Sequence, residues 1–298
     1  MSGVARITDK MKNGAEANRI KGKSSVGDAL RRGIAINDSS LLKLKNNSFD
    51  PQNVHHFRTT IRRLRSVLSS FKDAAPQARR KALNGRLKNL SQRYAELRQW
   101  DAFIATVTDN ESAAHARTRQ LLADAAKKRR RALIPRDQKL AQDIATVDRA
   151  IGDADWLQVP ASGDAAAWNE RIDRYAADLL DKQWRKLRKE SRKLDLSDSP
   201  AFHKFRIDAK KHRYTIEVLA PLYRKKDVKP YLQRIVALQD LLGDMRDAMA
   251  AEEMIGQLDL PSAVRDAARK WLGRRAAECR KRFPAQGKAF RRETPFWE

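Results

Sequence analysis

Apolar residues recur along this chain at alternating spacings of three and four, the period of amphipathic helices, and strand-like alternation has little support. The clearest case is Val54, Phe57, Ile61, Leu64, Leu68 and Phe71, the core seam of a helix bundle. His55, Arg58, Arg62 and Arg65 each follow a seam residue by one place, so they form a second stripe about 100° round the helix. A merely solvated face would mix signs or lie opposite the seam. This stripe does neither.

The same pattern predicts helices over 25–45, 52–73, from Pro76 towards Trp100, and over 112–133, continuing brokenly past Pro135 to Ala150. Four more follow at 168–193, 200–223, 230–258 and 261–283, three of them with proline at or near the start, where a missing N–H is tolerated. Residues 1–23 read as a flexible basic tail. Pro160, Ser162 and Gly163 mark a linker over 156–167 that separates an N-terminal half, 24–155, from a C-terminal half, 168–298. Pro284–Glu298 reads as irregular, with Phe290, Phe296 and Trp297 available to dock on the body. The fold class expected is all-α, two four-helix bundles related by pseudo-symmetry.

The halves repeat. His55 is followed by a basic residue at +3, +7, +8 and +10, namely Arg58, Arg62, Arg63 and Arg65. His203 is followed at the same spacings by Arg206, Lys210, Lys211 and Arg213, a register of 203 − 55 = 148. Matches of basic residues come easily in a basic chain, so the register needs independent support. It finds it in Leu90 on Leu238, Arg98 on Arg246 and Arg117 on Arg265. An ungapped offset through four helix pairs points to duplication of a four-helix unit. In the second copy Phe202, Phe205, Ala209, His212, Ile216 and Leu219 form the seam. His212 therefore reads as core, and His203 as flank.

Composition sharpens this. With 63 Lys and Arg against 37 Asp and Glu, the net charge is +26, a self-repulsion usually tolerated where the partner is a polyanion. Inorganic polyphosphate, nucleic acid and an anionic membrane all qualify. Cys279 alone cannot form an internal disulfide, and no Cys-x-x-Cys pair is present, so a reducing compartment, the cytoplasm, and a fold without metal or cofactor are expected. No apolar run reaches the roughly 18 residues of a membrane span. If the two stripes face one groove, their cations bind an anionic chain mainly by releasing its counterions.

Val54-His55-x-x-Arg58-x-x-x-Arg62-Arg63-x-Arg65, its second copy from His203, and Leu238-Gln239-Asp240-Leu241-Leu242-Gly243-Asp244-Met245-Arg246-Asp247 resemble the motifs of CHAD, the conserved histidine α-helical domain family. The resemblance implies two four-helix halves around a basic groove that binds inorganic polyphosphate, places the protein on polyphosphate granules, and binds rather than turns over its ligand. Carried over residue by residue, it marks His55, Arg58, Arg62, Arg63 and Arg65, then His203, Arg206, Lys210, Lys211 and Arg213. One departure stands out: the family's Arg-Asp-x-Asp pattern reads Arg98-Gln99-Trp100-Asp101 in the first half.

Two other functions remain open. A sequence-nonspecific nucleic-acid binder would use Lys127–Arg131 and aromatics interleaved with cations. An enzyme of polyphosphate or triphosphate metabolism would use Asp240, Asp244 and Asp247, which share one helical face, to bind Mg²⁺. The preferred role of these acids is to orient nearby Arg and Lys side chains. No glycine-rich phosphate loop or positioned nucleophile accompanies them.

Overall fold

Three helix starts are set by capping side chains. Ser25 and Asp28 form a reciprocal capping box at the head of α1 (Val26–Leu42), each side chain bonding the other's backbone N–H. Asp50 caps α2 (Pro51–Ser70) by accepting from the Asn53 N–H at 2.8 Å, and Asp198 caps α9 (Ser199–Leu219) by accepting from the Ala201 N–H at 3.0 Å. The caps are 198 − 50 = 148 residues apart, and both are followed by proline in the first turn.

The computed structural model describes residues 22–44, 48–108, 115–135, 140–154 and 165–298. The expected tail, apart from its last two residues, and most of the expected linker lie outside these. Among the described residues the fold is all-α, with eleven α-helices and no strand. Between α2 and α9 come α3 (Gln77–Arg93), α4 (Ala95–Thr108), α5 (Ala116–Ala132), α6 (Leu140–Gly152), α7 (Ala165–Asn169) and α8 (Ile172–Lys193). After α9 come α10 (Lys225–Ile255) and α11 (Ser262–Arg292).

Three boundaries differ most from expectation. The helix expected to open at Pro230 opens at Lys225 and carries that proline inside it. The helix opening at Pro76 does not run on to Trp100 but breaks at Tyr94, whose hydroxyl bonds Asp143 and whose ring packs edge-on against Phe57. Burying that ring and satisfying its hydroxyl outweigh helical continuity. Its counterpart at the 148 offset is Leu242, a plain core residue, and α10 passes through it unbroken. At the other end only residues 293–298 of the expected irregular segment lack a helix, because α11 continues through Pro284 to Arg292. Proline inside a helix costs about 3 kcal/mol. Here Phe283, Gly287 and Phe290 are buried along one side, and Arg291 donates to the Ser191 carbonyl at 3.2 Å, so tertiary contacts hold the helix together. Beyond it Trp297 is buried against Tyr231 and His212, with ring centroids 5.1 and 5.8 Å away.

Both predicted seams are buried along their whole length. They join a single large apolar cluster that draws Leu30, Phe57, Leu64 and Leu68 from the first half and Leu180, Phe205, Ile216, Ile235 and Phe290 from the second. A smaller cluster of Trp100, Phe103, Leu122, Ile255 and Leu272 ties α4 and α5 to α10 and α11. Gly27 is needed where α1 meets this body, since a Cβ there would stand 2.1 Å from the Trp168 ring.

The two seam helices cross in opposite directions. Arg63 of α2 pairs with Glu217 of α9 at 3.2 Å, and Ser69 meets Lys211 at 2.8 Å, so the partner number falls as the α2 number rises. The 148 offset converts the first pair into the second, taking Arg63 to Lys211 and Glu217 to Ser69. The offset therefore exchanges the two sides of the crossing.

Asp38 of α1 and Asp148 of α6 form an acidic contact. Burial first, then the neighbouring Asp148 carboxylate and a hydrogen bond to it, push the Asp38 pKa up to about 6. A raised carboxyl pKa favours the protonated fold, so this stabilisation is full below the ordinary value near 3.8 and is lost as pH rises through about 6. Asp38→Asn is therefore expected to stabilise the protein by roughly 1–3 kcal/mol at pH 8 and not at pH 4. Melting curves of both proteins at the two pH values check this; an equal difference at both would contradict it.

Candidate polyanion site

Two helices of the crossing and two outside it bring cations to one place. From α2 come His55, Arg58 and Arg62; from α9, His203, Arg206 and Lys210; from α4, Arg98; and from α10, Arg246. Lys210 stands at the centre. Burial first, then the charges of Arg206, Arg62 and Arg213, lower its pKa to about 6 against the opposing pull of Asp247. Arg62 also acts on His55, Arg58 and Arg206, so the two stripes share one electrostatic environment rather than facing separate walls.

The same causes act on the arginines. Burial and the neighbouring charges of Arg62, Arg98 and Arg246 lower Arg58 to about 10. Burial and Arg246 lower its offset counterpart Arg206 to about 10, partly relieved by Asp247. In both residues Nε is buried with no hydrogen-bond partner, while Arg58 Nη1 donates to the Ser91 carbonyl. Burial also lowers Arg98, with Asp247 and Asp101 pulling the other way.

His55 is fixed in role by its partner. Its Nδ1 accepts from Arg98 Nε at 3.1 Å, which places the hydrogen of the neutral ring on Nε2. Partial desolvation of the surface-exposed ring, then Arg98, Arg62, His56 and Lys210, hold its pKa at about 4. In the free protein His55 is therefore a neutral Nε2–H donor. His203 is exposed, and burial followed by Arg206, Arg246 and Lys210 lowers its pKa as well.

Four expected residues are engaged elsewhere. Arg63 pairs with Glu217 and lies 5.5 Å from the Tyr214 ring centroid. Arg213 pairs with the same Glu217 at 2.8 Å and donates to Gln239; burial would lower its pKa, but Glu217 raises it overall. Arg65 donates to Asn84 Oδ1 at 2.9 Å, and Lys211 donates to Ser69 Oγ at 2.8 Å. Adjacent helix positions diverge by about 100°, so Arg62 and Arg63, or Lys210 and Lys211, cannot face the same way.

Arg98 and Arg246 were absent from the expected set. Their signals were the 148 offset that superposes them and the Arg246-Asp247 of the family motif. Asp247 faces Arg98, Arg206 and Lys210 and lies 3.5 Å from Arg246. Its counterpart is Gln99, so this one carboxylate faces arginines carried by both halves. Asp101, also in the departing motif, instead binds the buried Arg130, which donates to the Phe49 carbonyl as well.

The remaining candidates take structural places. His212 is buried between Gln183 and Tyr231, bonding each through one ring nitrogen, and burial holds its pKa near 3. The Lys127–Arg131 run is no continuous patch, since Arg130 turns inward and Arg129 pairs with Glu96. Asp240 faces Arg213 and Lys210, and Asp244 faces Arg275 and Arg282. Among the described residues no three His, Cys, Asp or Glu side chains gather into a metal centre, and no helix is long and apolar enough to cross a membrane.

Fold and site together define an all-helical domain built around an internal cation cluster. The sequence profile of the CHAD domain matches residues 35–256, and the chain belongs to the CHAD domain family. Two solved structures share the fold. The crystal structure of the CHAD domain from the plant Ricinus communis aligns with a TM-score of 0.72 and 21% identity, over 95% of this chain and 96% of that one. PptA from Streptomyces chartreusis aligns with a TM-score of 0.56 and 17% identity, over 91% and 99%. No curated protein matches the chain.

Proposed function

We propose that the protein binds inorganic polyphosphate without turning it over, and that this binding holds it on polyphosphate granules. The observation that carries the proposal is the meeting of two helix stripes in one cluster, where Lys210 of α9 is acted on by Arg62 of α2 as well as by its own helix neighbour Arg206. Cations crowded this closely repel one another until an anion enters, and a linear polymer with a charge on every unit supplies several anionic groups at once. Arginine forks match pairs of phosphate oxygens, and Lys210 acts as a point charge beside them. His55 Nε2–H adds a neutral donor.

Membership of the CHAD family supports the ligand, and the rings near the cluster support a polymer without bases. Phe57 and Phe205 belong to the core, and Tyr214 is buried beneath Arg63 and Arg213. A single-stranded nucleic-acid binder would present rings for stacking. We read Asp240, Asp244 and Asp247 as orienting groups: each faces cations, although Asp244 also faces the other two carboxylates.

The test is a competition titration at several salt concentrations. Duplex DNA at equal phosphate concentration is expected to leave labelled polyphosphate bound; displacement would favour the nucleic-acid function. Incubation with Mg²⁺ is expected to release no phosphate. Release that disappears in Asp244→Ala would establish an enzyme instead.

A further inference from the structure

The two pairs exchanged by the 148 offset are not chemically equivalent. On one side of the α2–α9 crossing Arg63 meets the Glu217 carboxylate. On the other, its counterpart Lys211 meets only the Ser69 hydroxyl. The surroundings differ in the same sense. Lys186, Lys72 and Arg80 all lie close enough to act on the charge of Lys211. At the offset, Lys72 becomes Ala220, Arg80 becomes Val228 and Lys186 becomes Asp38. On one side a carboxylate stands at the crossing itself, shared by Arg63 and Arg213, while on the other a hydroxyl takes its place and four cations gather around Asp208 and Asp73.

The acids facing this second group are few. Asp208 pairs with Lys186 at 2.7 Å and approaches Lys204 at 3.7 Å, and Lys204 also pairs with Glu190. Asp73 lies 3.9 Å from Lys72, both side chains being largely exposed. Arg80 Nε is buried without a hydrogen-bond partner. Burial lowers the pKa of Lys211; Asp208, the strongest single charge upon it, pulls the other way, and Lys186, Lys72 and Arg80 together lower it again.

The geometry points to a second anion seat, formed by Ser69, Lys72, Arg80, Lys186 and Lys211, that takes a phosphoryl group in the place Glu217 fills for Arg63. It rests on the proposed polyphosphate binding, for which it supplies an anchoring point beyond the main cluster. The hydroxyl of Ser69 and the ammonium of Lys211 both offer hydrogens to a phosphate oxygen, and the three outer cations hold its remaining charge. Lys210 and Lys211 are neighbours in sequence, so the main cluster and this seat lie on different flanks of one helix.

Ser69→Glu tests it by restoring the carboxylate present on the other side. Affinity for long-chain polyphosphate is expected to fall roughly tenfold, the effect of removing one charge-assisted hydrogen bond. The salt slope is expected to fall by about 0.7 for each phosphate that is no longer neutralised. Ser69→Gln, of similar size but uncharged, should stay within about twofold of wild type. Lys72→Gln with Lys186→Gln, at two exposed positions, makes the same test without touching the helix crossing. Tripolyphosphate titrations distinguish the source: a weakening confined to long chains means one polymer spans both sites, and an equal weakening means the seat takes a separate phosphate group. If these variants bind like wild type while the main-cluster variants release polyphosphate, the seat is absent and the primary function stands. If wild type binds neither polymer nor tripolyphosphate, both proposals fall.

Discussion

Replacing Arg62 and Arg246 together with glutamine is expected to weaken polyphosphate binding at least a hundredfold, the largest effect of any pair in the molecule. Arg62 acts on His55, Arg58, Arg98, Arg206 and Lys210, and Arg246 acts on Arg58, Arg98, His203 and Arg206, so between them they reach every other member of the cluster. Each hydrogen bond to an ionised phosphate contributes about 1.5–3 kcal/mol, which makes two worth two or more powers of ten. The salt slope should flatten by about 0.7 for each phosphate left unpaired. Unlike a core substitution, the change relieves repulsion and should leave the melting temperature unchanged or higher. Binding isotherms at several salt concentrations, with melts alongside, decide it: full affinity in this variant would place the ligand elsewhere.

Binding is also expected to take up a proton. With a pKa of about 6, Lys210 is mostly neutral in the free protein at pH 7.5, whereas a phosphate oxygen beside it favours the ammonium. Affinity should therefore rise as pH falls from 8 towards 6, and level off once Lys210 is charged in the free protein too. Calorimetry in buffers of different ionisation enthalpy should report uptake approaching one proton near pH 7.5. Lys210→Met should abolish most of it. Without ligand the sign reverses: between about 6 and the ordinary lysine value near 10.5 the unfolded chain holds the extra proton, so the free fold gains stability with rising pH. Proton uptake that survives in Lys210→Met would assign it to another group.

The helical class and both seams were legible in the sequence, because each rests on local spacing. The break at Tyr94 and the continuation through Pro284 were not. Both depend on partners distant in the chain, Asp143 for the first and Ser191 for the second. The site was legible in part for a related reason. Spacing assigns His55, Arg58 and Arg62 to one stripe, but it cannot show that Arg63 finds Glu217 or that Lys211 finds Ser69, since those partners lie on the crossing helix. Arg98 and Arg246 sit on helices with no basic stripe of their own. Only the repeat and the family motif marked them, and only the packing of α4 and α10 beside the crossing gives them a place.

One large apolar cluster takes side chains from both halves, so the distance between the two rows of cations is set by interlocked core side chains and not by a hinge. The work of assembling like charges is consequently done once, as the chain folds, and need not be repeated at each encounter. For the polymer proposed as ligand, binding would then cost its own conformational freedom and little of the protein's, since the cations already stand in place.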